Sequence, residues 1–90
     1  MNINDLQQRN YDAQLKRGKI TEETTLEDCI DDLAGEVLEL YEEKENNRWL
    51  LEAADVMLNL LSCCRIAGFD GEELYLACQR KMLYNEKRTD

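Results

Sequence analysis

From Leu50 to Cys64 the chain reads LLEAADVMLNLLSCC, with eleven apolar residues among fifteen. On a helical wheel at about 100° per residue, Leu50, Ala54, Met57, Leu61 and Cys64 take one side. Ala53, Val56, Leu60 and Ala67 flank it, and Leu51 and Leu58 extend the other flank. Glu52, Asp55, Asn59 and Ser62 are left as a narrow polar strip. A helix apolar nearly all round is a central, buried one. The pattern predicts it over about 48–67, stopping at Gly68.

Three more helices follow from pattern and caps. Residues 2–17 are weakly amphipathic, and Gly18 suits the left-handed residue after a helix end. After a KITEET link, Thr25 opens a second helix with Asp28 in the capping-box position. It runs to about Glu45, where Asn46-Asn47 break it and cap the next. Its apolar face is Ile30, Leu33, Ala34, Val37, Leu40 and Tyr41. Asp70 caps a fourth helix, with Glu73 in the box position, that reaches about Lys87. The expected ranges are 2–17, 25–45, 48–67 and 71–87. Short connections favour an all-α, four-helix antiparallel bundle forming one domain over 1–90.

Composition narrows the chemistry. A chain of 90 residues buries only about 60–70% of its unfolded surface. Four short helices hardly cover such an apolar third helix, and Val56, Leu60 and Ile66 flank the acid strip. A homo-oligomer, dimer or tetramer, is therefore expected. The net charge of −9 disfavours nucleic acid, and no uninterrupted apolar span calls for a membrane. Cys29, Cys63, Cys64 and Cys78 show no Cys-x-x-Cys spacing and read as small core side chains in a cytoplasmic protein. Without histidine, a His base, His-bound zinc and a Glu-x-x-His di-iron site are excluded.

The acids remain. Ionised carboxylates on a buried helix cost several kcal/mol unless a cation or donors compensate. The second helix offers Asp32, Glu36, Glu39 and Glu43, a stripe that by periodicity alone is a solvated face. Facing the strip of the third helix, it presents Glu36 and Glu39 opposite Glu52 and Asp55. Four converging carboxylates make a hard, all-oxygen site suited to Mg²⁺ or Mn²⁺. On the fourth helix, the face of Leu74, Ala77 and Cys78 continues into Lys81, Asn85 and Arg88. These cations favour the helix dipole, or they form a phosphate grip beside the metal.

GEVLEL (35–40), EAAD (52–55) and KMLYNEKR (81–88), led in by RGKIT (17–21), resemble the MazG-like nucleotide pyrophosphohydrolases. The similarity runs from about residue 16 to 88. It implies the all-α nucleoside triphosphate pyrophosphatase fold and Mg²⁺-dependent hydrolysis of nucleoside triphosphates, often deoxynucleotides, to monophosphate and pyrophosphate. Glu36, Glu39, Glu52 and Asp55 fall on the family's metal-binding acids, with Glu36 or Glu39 as the general base. Lys81, Asn85 and Arg88 fall on the positions expected to contact phosphates. One position departs: Gly35 stands where the family's first glutamate is expected, and Asp32, one turn before Glu36, is a candidate to compensate. Trp49, one turn before Glu52, is a candidate to stack on the base, against a core or interface role. Asn59 completes the candidate set. The competing expectations are a binding module that kept the fold but lost turnover through Gly35, and a plain acidic bundle whose strip is a subunit interface.

Overall fold

Four helices and no strand make up the described chain, residues 1–89 of a computed structural model. They are α1 (Ile3–Lys16), α2 (Leu26–Glu42), α3 (Asn46–Ile66) and α4 (Gly71–Glu86). The all-α expectation holds, and no helix among the described residues is long and apolar enough to cross a membrane.

Local chemistry sets the helix starts. Asn2, Thr25 and Asp70 each accept the N–H of the residue three positions on, and Asp5, Asp28 and Glu73 return a carboxylate to the cap N–H. These reciprocal boxes satisfy donors that a helix start leaves without internal partners. The α2–α3 junction departs from the expected break at Asn46-Asn47. Glu43 ends α2 instead, because its carboxylate accepts the N–H groups of Lys44 and Glu45 at 3.2 and 3.0 Å. Both asparagines thereby enter α3, whose N-cap Glu45 makes no side-chain cap bond. Gly18 (φ +73°) supplies the left-handed turn after α1, a conformation that glycine adopts without steric cost.

Helix α3 is the hub. Helix α2 runs antiparallel to it, so that Cys29 near the start of α2 meets Cys63 near the end of α3, Sγ to Sγ 3.2 Å. Helices α1 and α4 pack on α3 and on each other, whereas among the described residues the backbone of α2 packs closely on α3 alone. The four helices thus form an all-α bundle organised around α3. Helix α4 is attached near its start, and the side chains from Cys78 to its end, and on to Thr89, are all exposed.

Helix α3 is not covered all round, contrary to the expectation from its near-continuous apolar pattern. Leu50, Ala54 and Met57 are exposed, and the strip residues Asn59 and Ser62 are buried together with Leu61 and Cys63. The reason lies on α1, which meets this side with amides. Gln14 Nε2 donates to Asn59 Oδ1 at 3.3 Å, its Oε1 accepts the Ser62 hydroxyl, and Asn10 donates to Ser62 Oγ and the Leu58 carbonyl at 3.1 Å each. Buried amides need partners, so the polar sides of α1 and α3 select each other. On α2, Cys29, Leu33, Glu36 and Leu40 turn inward, while Ile30, Val37 and Tyr41 of the expected apolar face stay exposed. The four cysteines are free thiols. Burial, reinforced by the Cys29 contact, pushes the Cys63 thiol up to about 12, which leaves it unreactive near neutral pH.

Candidate functional site

Glu36 and Glu39 stand one turn apart on α2, and Glu52 stands on the facing stretch of α3. One carboxylate oxygen from each lies within 4.8 Å of the other two. The antiparallel pairing that joins Cys29 to Cys63 fixes this meeting, because it brings the middle of α2 against the first half of α3. Asp55, one turn beyond Glu52, lies outside this triad and is exposed. It shares with Glu36 a polar cavity of about 220 Å³, whose other walls include Asn10, Gln14, Arg17, Lys19 and Asn59.

Three carboxylates this close repel one another. Glu36 shows the effect: its carboxyl sits above the usual range, first because it is buried, next because of Glu39, with Asp55 adding to the rise. The Lys19 ammonium opposes it from 3.7 Å, beyond ordinary hydrogen-bond length. Glu36 Oε2 and Glu52 Oε2 are buried with no hydrogen-bond partner. A buried carboxylate oxygen without a partner is costly, and a cation among the three acids would satisfy both. The donor set is all oxygen and hard, which fits Mg²⁺ or Mn²⁺.

The remaining candidates fall elsewhere. Asp32 is exposed and acts on the Cys63 thiol rather than joining the triad. Asn59 is held by Gln14 and donates to the Asp55 carbonyl at 3.1 Å, so it shapes the cavity wall. Trp49 is partly exposed at the start of α3. Lys81 and Asn85 lie on the exposed second half of α4 and Arg88 just beyond its end; among the described residues the backbones of α4 and α2 do not pack together, and Lys81 Nζ sits 5.2 Å over the Tyr84 ring. Gly35 is exposed on α2 with open space around it. Helical periodicity passed over Arg17 and Lys19, which flank the Gly18 turn; the Arg-Gly-Lys triplet was their only signal. No protein-family model, curated protein or solved structure matches the chain.

Proposed function

We propose that this chain is a Mg²⁺-dependent, MazG-like nucleotide pyrophosphohydrolase that cleaves (deoxy)nucleoside triphosphates between the α- and β-phosphates. The observation that carries this reading is the triad of Glu36, Glu39 and Glu52 within 4.8 Å, with buried, unpartnered oxygens on two of its members. Glu36, Glu39 and Glu52 would hold the ion, with Asp55 beside them. When bound, such an ion neutralises phosphate charge and makes a coordinated water more acidic. Glu36 or Glu39 takes the proton from the attacking water, and Asp55 borders the space in which the substrate is oriented. Lys81, Asn85 and Arg88 are the phosphate contacts that the resemblance implies. Among the described residues α4 does not pack on α2, so their place beside the triad calls for a second copy.

That second copy is supported by the surface. Ile30, Val37 and Tyr41 of α2 and Leu50, Leu51 and Met57 of α3 are exposed on one hairpin. An apolar surface of this kind marks an interaction site, and a homodimer or homotetramer covers it. Gly35 favours one competing reading, a binding module without turnover.

The test is pyrophosphate release from the common ribo- and deoxynucleoside triphosphates, with and without Mg²⁺. Release that requires Mg²⁺ supports the enzyme. Binding of metal and nucleotide without release supports the module. Absence of both leaves an acidic helical bundle.

A further inference from the structure

We propose that Lys19, with Arg17 beside it, is a substrate-binding arm of the site. In the metal-free protein Lys19 is the counter-ion of Glu36, and with metal bound it holds the phosphates of a nucleoside triphosphate. The inference rests on the pyrophosphohydrolase reading and adds to it two binding residues outside α4.

The cavity shared by Glu36 and Asp55 has a volume of about 220 Å³. That is below the roughly 300–1,000 Å³ of pockets that enclose a whole small ligand, so it suits one group of a larger substrate. Most of its amides are already committed to the protein. Gln14 Nε2 donates to Asn59, Gln14 Oε1 accepts from Ser62 and Asn10, and Asn59 Nδ2 donates to the Asp55 carbonyl. The cations on the wall are Arg17 and Lys19. Glu36 and Asp55 offset these cations, and Glu39 and Glu52 next to Glu36 add further negative charge, so the site disfavours a bare anion. It accepts a phosphate only after a divalent ion has taken the carboxylate charge.

Lys19 is placed for this exchange. The left-handed Gly18 turns the chain, the Lys19 N–H donates to the Gln14 carbonyl at 2.9 Å, and the Ile20 side chain next to it is buried. The backbone is fixed on both sides while the side chain stays about one-third exposed. Its ammonium stands 3.7 Å from Glu36 Oε1, well beyond the roughly 2.7–2.9 Å of a charge-assisted hydrogen bond. A contact that loose is replaceable. Once a metal satisfies Glu36, the same ammonium is free to move to a phosphate oxygen. The order of binding is therefore metal first, nucleotide second.

Calorimetric titration of the full chain with Mg²⁺ alone, then with a non-hydrolysable α,β-imido deoxynucleoside triphosphate in saturating Mg²⁺, tests the arm. Lys19→Gln is expected to weaken the analogue by about tenfold or more. It should leave Mg²⁺ affinity equal or higher, because a competing cation is gone. Lys19→Arg, which keeps the charge, should retain most of the analogue affinity, and Arg17→Gln should show a smaller loss. A Lys19→Gln variant that binds the analogue like the wild type overturns the proposal, as does one that loses Mg²⁺ and nucleotide together. A wild-type chain that binds no Mg²⁺ removes the functional reading and the arm with it. A wild type that binds both, with Lys19→Gln undiminished, removes the arm alone.

Discussion

Gln7 and Gly71 are joined across the molecule: the Gln7 side-chain oxygen accepts the Gly71 N–H at 3.0 Å. The same amide donates from its nitrogen to the carbonyls of Leu61 and Phe69 at 2.9 and 3.2 Å. One buried side chain of α1 thus ties the end of α3, the turn after it and the start of α4. Gln7→Ala removes the side chain that the Gly71 N–H and the Leu61 and Phe69 carbonyls share. An expected loss of about 2–4 kcal/mol follows, read as a fall in the urea midpoint. A midpoint within error of the wild type would show that water replaces the amide without cost.

Two glycines should respond oppositely to alanine. A Cβ on Gly71 would stand 3.0 Å from the Ile3 carbonyl oxygen and 2.9 Å from Ile3 Cγ1. Gly71→Ala must push α4 off α1, at a cost of about 1–3 kcal/mol. A Cβ on Gly35, inside α2, meets nothing within 4 Å. Gly35→Ala is expected to stabilise by about 1 kcal/mol through helix propensity. Thermal melts of the two variants decide, and the same sign for both would refute the argument.

The carboxylates make a pH-dependent prediction. Burial and the neighbouring Glu39 raise the Glu36 carboxyl above its unfolded value, so between those two values the folded state binds the extra proton. Stability from this group is lost as the pH rises through that window and regained as it falls. Glu36→Gln should stabilise the chelator-treated protein at pH 7.5, flatten that part of its pH profile and abolish stabilisation by Mg²⁺. Glu52→Gln should reduce hydrolysis by on the order of 10²-fold or more through lost charge stabilisation. Equal melting of wild-type protein in Mg²⁺ and in ionic-strength-matched monovalent salt would count against the site.

The exposed apolar residues predict assembly. Light scattering across micromolar concentrations should give a mass at least twice the 10.6 kDa of the chain. Leu50 is about two-thirds exposed and Val37 about half. The pair Leu50→Glu and Val37→Glu should shift that mass toward the monomer without loss of helicity. A single wild-type species near 10.6 kDa would rule the oligomer out.

Much of this was legible in the sequence, and the gaps have physical causes. Thr25 with Asp28 and Asp70 with Glu73 announced two helix starts, because capping is a local bond that depends on residues three apart. Glu36, Glu39 and Glu52 were legible as a group because an antiparallel pair of helices brings those turns together. The orientation of α3 was not legible. Periodicity says which residues share a face, but the covered face depends on the neighbour, and α1 covers α3 with Gln7 and Gln14. Buried glutamines look like solvent-facing ones until their partners are known. Lys19 escaped for another reason: it lies in a turn, where no period applies and only the backbone of Gly18 sets its direction.

The acids of the site all belong to one helical hairpin, turned by the three residues between Glu42 and Asn46. Glu36 and Glu52 are separated by little chain, so bringing them together costs little loop-closure entropy and leads to early folding. Helices α1 and α4 are fastened through a handful of amide bonds, and such attachments open more readily than a packed hairpin. Under native hydrogen exchange the amides of α1 and α4 should lose protection before those of α2 and α3. The carboxylate triad would then persist in partially opened molecules whose Lys19 arm has already swung away.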